Sequence, residues 1–216
     1  MQVNDKHKIE WDGKKIERAS HNLIDDYIDR MGNHFSDPKI RAIVRRIIHS
    51  TADFSFADTL RISSDAVERG ITALQNDCPI ICDVKMTAAG CTHGKRNIIC
   101  EIANHEVVKL AEKLKITRAA ASMVYLESKI EGALIVIGNA PTALWKIMEM
   151  WNTEGPRPAL VIGLPVGFVG AYDSKYMLSL SGIPCITNLS PRGGSPVAAA
   201  AFNALTELSL NGGHCD

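Results

Sequence analysis

The stretch ALIVIGNAPTALWKIMEMW (133–151) decides the architecture. Ala133–Ile137 is a short apolar run rich in β-branched residues, and the turn signals Gly138-Asn139-Ala140-Pro141 follow it directly. A helix-like segment, Thr142–Trp151, comes next. The same order recurs downstream. ALVI (159–162) leads through a Gly/Pro loop to a helix-like stretch from about Ser174 to Leu180, and IPCIT (183–187) leads through Arg192-Gly-Gly-Ser-Pro to the Ala-rich stretch Val197–Leu210. Continuous apolar runs, separated by helices rather than hairpins, predict parallel strands covered on both faces. The expected fold class is therefore α/β, with an open, mainly parallel sheet and helices on both faces.

Working outward, the first half reads as helix-rich. Asp37-Pro38 is a helix start, with Asp as N-cap and Pro at the first helical position. Ile40, Ile43, Val44, Ile47 and Ile48 then recur at helical spacing and predict a core-facing stripe. Pro79–Val84 (PIICDV) predicts another strand, and Ile98–Glu101 a further one. Neither a linker nor an internal repeat divides the 216 residues, so residues 1–216 are expected to form a single domain with short polar tails.

Charge and composition narrow the function classes. Lys plus Arg equals Asp plus Glu at 24 each, so no bulk field attracts nucleic acid or an anionic membrane, and neither partner is expected. The polar start, MQVNDKHKIEWDGKKIE, is neither a leader nor an anchor, which predicts a cytoplasmic protein. Cys78, Cys82, Cys91 and Cys100 lie close together with His93, but Cys-x-x-x-Cys on a strand-like run differs from the paired knuckles of zinc sites. They read as reduced, buried, small apolar residues.

Ligands of open α/β sheets bind beyond the carboxyl ends of the strands. Three loops there carry Gly, Pro and small polar residues: 138–141, 163–170 and 190–195. Asn139, Gly167, Arg192, Gly193, Gly194 and Ser195 are the candidate contacts, backbone N–H groups and one guanidinium suited to carboxylates. Ordinary strand-to-helix turns are the plainer reading of any one loop. No dinucleotide fingerprint and no Gly-Lys-Ser/Thr phosphate loop is present, so no cofactor is expected.

These loops resemble a known family. VIGNAPTAL (136–144), PALVIGLPVGFVGA (158–171) and RGGSPVAAAAFNAL (192–205) are similar to signature blocks of the precorrin-8X methylmutases, as are IICD (80–83), VKMTAAG (84–90), TRAAA (117–121) and Arg46-Ile47-Ile48-His49. The resemblance runs from about residue 15 to 206. The chain departs from the family pattern at His21, Ala119, Asp173 and Ser190-Pro191.

What the resemblance implies is an isomerase of cobalamin biosynthesis that moves a methyl group from C-11 to C-12 of precorrin-8X or cobalt-precorrin-8. The product would be hydrogenobyrinate or cobyrinate. The shift is a 1,5-sigmatropic rearrangement needing no methyl donor. It further implies His49 as the catalytic acid–base group, Ser20 and Arg118 as substrate contacts, and a homodimer with the tetrapyrrole site near the subunit interface. Any cobalt would travel with the substrate, so no metal site of the protein is expected. Read as residues alone, His49 is equally a solvated or capping side chain, Ser20 a helix cap and Arg118 an exposed cation. Arg46, three residues before His49 and on the same helical face, either clamps a peripheral carboxylate or is a surface charge beside Arg45. Trp145, Met148 and Trp151 read as core or interface. The competing function classes are a nucleotide-dependent enzyme on a similar sheet and a non-catalytic corrinoid carrier.

Overall fold

The computed structural model describes residues 11–32, 35–93 and 97–212; both expected tails lie outside the described residues apart from a few positions. Helices α1 (Gly13–Arg30), α2 (Pro38–Thr51) and α3 (Ser55–Thr59) precede strand β1 (Leu60–Ile62). Then follow α4 (Ala66–Gln75), β2 (Ile80–Cys82), α5 (Lys85–Gly90), β3 (Ile98–Ile99), α6 (His105–Leu114) and α7 (Arg118–Tyr125). The last third alternates β4 (Leu134–Ile137), α8 (Pro141–Asn152), β5 (Leu160–Gly163), α9 (Ala171–Leu180), β6 (Cys185–Asn188) and α10 (Ser195–Leu210).

The six strands form one sheet in the order β1-β6-β5-β4-β2-β3. Every pairing is parallel except β1 against β6, where Leu60 faces Asn188. The sequence reading missed β1. Three residues at a sheet edge carry too little periodicity to announce themselves, and their strand identity depends on the partner β6.

Both faces are covered, as the apolar runs predicted. Because strand side chains alternate, Ile80, Leu134, Val136, Leu160, Ile162 and Ile186 enter a core built with α2, α4 and α10. Their neighbours Ile81, Ile135, Ile137, Val161 and Cys185 enter a second core with α7, α8 and α9. Helix α10 is buried almost all round, which explains why it lacks a polar face. Its small residues allow close approach; Ala199 lies where a Cβ on Gly90 would come within 2.7 Å.

Helix α2 presents Ile43, Val44, Ile47 and Ile48 to this core, all buried. Its outer face pairs with α1. Asp25 receives Arg41 at 3.0 Å and Arg45 at 3.1 Å, and Arg41 also reaches Asp29 at 2.5 Å. These bonds set the register of the two helices. No described helix is long and apolar enough to cross a membrane.

Asp37 caps α2 as the sequence predicted, accepting from the amides of Lys39 (2.7 Å) and Ile40 (3.3 Å). Asp37→Ala is expected to lower the free energy of unfolding by about 1 kcal/mol, read from urea denaturation.

Candidate active site

The carboxyl ends of β2, β4, β5 and β6 converge on one edge of the sheet, and the three Gly-rich loops leave from there. Helix α2 ends at the same edge, because Asp53, just past its C-terminus, bonds Arg192 of the β6 loop. His49 stands in the last turn of α2. Its Nδ1 lies 2.9 Å from Ser20 Oγ on α1. The sequence separates these residues by 29 positions, and the antiparallel α1–α2 pairing brings them together.

His21, next to Ser20, sets its ring edge-on to His49, with centroids 5.1 Å apart and planes at 71°. Burial lowers the His21 pKa, and the charges of Arg45 and His49 add to the effect. Arg46 is half-buried, with its guanidinium 3.8 Å from the Glu17 carboxylate. From this cluster a cleft of about 540 Å³ opens between α1, α2 and α10, lined by Lys14, Arg18, His21, Arg45, Arg46 and Glu207 among others. Four cations line this groove with three carboxylates, Glu17, Asp25 and Glu207, and a ligand with several carboxylates suits the cations by taking the place of those partners. Lys14, Arg18 and Arg45 were not singled out from the sequence. Lys14 and Arg18 stand one helical turn apart, but only the packing of α10 turns that stripe into a groove wall.

At the other loops the structure revises what the backbone does. Asp83, at the end of β2, is fully buried. Its Oδ2 accepts from the amides of Asn139 (2.7 Å) and Ala140 (2.8 Å), and Oδ1 from those of Val84 (2.9 Å) and Gly138 (3.3 Å). The N–H groups that the sequence reading offered to a ligand are therefore met by the protein's own carboxylate. Asn139 keeps only its exposed side chain for that task. Thr87 Oγ1 donates to Asp83 (2.9 Å) and lies 2.9 Å from Ser195 Oγ, so Ser195 is tied inward and almost fully buried. Gly138 is needed here because a Cβ would come within 2.6 Å of the Ser195 Cα.

The β5 and β6 loops are stitched to each other in the same way. The amide of Gly167 donates to Pro191 O at 3.1 Å and that of Gly194 to Leu164 O at 2.8 Å. Gly193 passes so close that a Cβ would strike the Leu164 carbonyl. Arg192 pairs with Asp53 and reaches Ser55 Oγ at 2.9 Å. Burial works against ionisation of Asp53, but the Ser55 and Arg192 bonds outweigh it and hold its carboxyl below the usual range.

Beneath this loop lies Lys175, a fully buried cation that the sequence reading passed over. Its Nζ donates to Arg192 O (2.6 Å) and Asn188 Oδ1 (2.9 Å). Burial pushes its pKa down to about 8. Arg118 opens α7, exposed, beside the Thr117–Thr142 hydroxyl contact of 2.6 Å. It therefore sits near the start of α8 and the Asn139 loop. On α8, Met148 is buried, Trp145 is partly exposed, and Trp151 carries the Arg157 guanidinium 4.3 Å from its ring centroid. Cys82, Cys91 and Cys185 are buried.

Two outcomes follow from the buried polar groups. Asp83→Asn places an NH₂ group against backbone donors and is expected to destabilise by at least about 3 kcal/mol in denaturant unfolding. For Lys175, the folded pKa of about 8 lies below the ordinary 10.5, so between those values the unfolded chain binds more protons and stability rises with pH. The stability difference between wild type and Lys175→Met should therefore move in favour of wild type by up to about 3 kcal/mol between about pH 7.5 and pH 10.5. Urea denaturation of both proteins across that range checks it.

Comparison with known proteins places the chain. The family model described as precorrin-8X methylmutase matches residues 15–208. The cobalt-precorrin-8 methylmutase of Methanothermobacter thermautotrophicus is 43% identical over 198 residues, covering 91% of this chain and 94% of that protein. The protein of the same name from Methanocaldococcus jannaschii is 36% identical over 208 residues, covering 94% and 97%. The solved structure of precorrin-8X methylmutase from Thermus thermophilus superposes with a TM-score of 0.80 at 35% identity, covering 92% of this chain and 99% of that one. With its fold, its loops and its length all matched, the chain belongs to the precorrin-8X methylmutase family, isomerases of cobalamin biosynthesis.

Proposed function

We propose that this protein converts precorrin-8X or cobalt-precorrin-8 by moving the methyl group from C-11 to C-12, with His49 as the acid–base group. The observation that carries the assignment is the Ser20–His49 contact beside a cation-lined cleft. When Ser20 Oγ accepts from Nδ1–H, the His49 tautomer is fixed and Nε2 is the nitrogen that exchanges a proton. A proton delivered from Nε2 to the macrocycle draws electron density from the conjugated system and eases migration. After the shift the same nitrogen recovers the proton. The migrating methyl is already on the substrate, so the protein's work is binding, orientation and protonation.

Binding falls to the cations. Arg46 and the groove cations Lys14, Arg18 and Arg45 engage peripheral carboxylates, with Arg118 and the Asn139 side chain at the opposite loops. Gly167 and Gly194 act as shape rather than as donors, because their amides already donate to Pro191 O and Leu164 O, while Thr87 holds the Ser195 hydroxyl and Gly193 lets the two loops approach closely. Arg192 shares its charge with Asp53 and lines the same edge. Val166, Phe168 and Val169 project from the β5 loop, Phe168 wholly exposed, and Tyr172 and Tyr176 continue the apolar surface along α9. A second copy of the chain covering this surface would complete a homodimer with the site at its edge. The proposed setting is the cytoplasm.

Purified protein is to be mixed separately with precorrin-8X and cobalt-precorrin-8, with no donor added, and the absorbance followed. A donor-free change to the corrin product is expected and reveals which substrate is used. Binding without conversion of either would make the protein a carrier. His49→Ala is expected to reduce turnover by at least about 10²–10⁴-fold while retaining corrinoid binding. Ordinary turnover in that variant would remove His49 from the chemistry.

A further inference from the structure

Glu17, His21 and His49 each offer one ligand atom, and the three atoms lie within 4.8 Å of one another. Among the described residues this is the one group of its kind. Glu17 and His21 are four apart on α1, the helical spacing that stacks two side chains on one face. His49 faces them from α2. We propose that these three residues form a site for a divalent transition-metal ion such as Zn²⁺, and that its occupancy silences the enzyme by tying up His49.

The donor set is right for such an ion. Two imidazoles and one carboxylate leave a further position for water, the pattern of an open rather than a closed site. A tetrahedral ion with bonds of about 2.0–2.1 Å spaces its ligands by about 3.3 Å, so closure needs small side-chain rotations and no backbone change. The surroundings help. Ser20 Oγ lies 2.9 Å from His49 Nδ1, and with that bond kept Nε2 is the nitrogen left for the ion, as the other ring nitrogen of a metal-ligating histidine is usually hydrogen-bonded.

Charge sets the limit on affinity. Arg45 and Arg46 oppose a cation, Glu17 and Asp25 offset them, and Glu17 must leave its 3.8 Å contact with Arg46 to ligate. That balance makes the site one for metals that bind nitrogen strongly, not for Mg²⁺ or Ca²⁺. The expected behaviour is reversible capture. When Zn²⁺ takes the Nε2 lone pair, any proton there is released to solvent, and His49 can neither give nor recover one.

The site itself does not depend on the catalytic reading, whereas the inhibition does. Zn²⁺ binding is to be measured by calorimetry on the full chain, alongside Co²⁺, whose visible absorption reports nitrogen ligation and low coordination number. Binding of about one ion per chain is expected, abolished in His21→Phe and His49→Ala and weakened about tenfold or more in Ser20→Ala. Circular dichroism confirms that the variants are folded. Unchanged Zn²⁺ affinity in folded His21→Phe, or no binding by wild type, overturns the site. In turnover assays Zn²⁺ is expected to inhibit wild type, with EDTA restoring the rate, while His21→Phe loses that sensitivity relative to its own metal-free rate. His21-dependent binding without inhibition would uphold the metal site and refute instead the acid–base role of His49.

Discussion

A single buried carboxylate organises the carboxyl edge of the sheet. Asp83 closes β2 and draws in the amides of Val84, Gly138, Asn139 and Ala140 together with the Thr87 hydroxyl. These amides lie at the N-caps of α5 and α8 (Val84 and Ala140) or just before the latter (Gly138 and Asn139), and a negative charge there also complements the helix dipoles. Through Thr87 the same network reaches Ser195 at the head of α10. Three helix starts are thus fixed by one side chain, and an unfilled cradle at this depth would leave several backbone groups without water or protein. The same helix, α10, through Ala204, Glu207 and Leu208 toward its other end, forms one wall of the cleft that carries the cations.

Rigidity at that edge contrasts with the α1–α2 side. There the contacts are ionic and partly exposed, Asp25 with Arg41 and Arg45, Arg46 with Glu17. Such pairs add little stability each, but a ladder of them sets register. Register is what the proposed chemistry needs, because it determines that Ser20, rather than a residue one turn away, meets His49. A macrocycle with many carboxylates can displace partners of this kind, exchanging one ion pair for another at small net cost, whereas the Asp83 network has no such freedom.

Much of this was legible in the chain. Three apolar runs separated by helical stretches specified parallel strands with two covered faces, since a strand polar on one side would have alternated. Asp37 and Pro38 announced the start of α2, and the Ile/Val stripe identified its core face. The loop blocks identified the family. The short edge strand β1 was invisible, because Leu60–Ile62 becomes a strand only by pairing with β6. Lys175 was equally silent. A lysine in a helix is usually solvated, and nothing local says that Arg192 O and Asn188 will fold over it.

What the sequence by itself determined is therefore what depends on neighbours along the chain: periodicity, caps, turn residues, and the motif blocks that identify the family. Tertiary structure alone decided which polar groups face each other. It gave the amides of the 138–140 loop to Asp83, paired Arg192 with Asp53, and set Ser20 and His21 against His49. The reason is physical. Hydrophobic patterning is a property of each segment and survives averaging over many packings, whereas a hydrogen bond or ion pair is short-ranged and directional. It exists only once two distant segments have been brought within about 3 Å in one register.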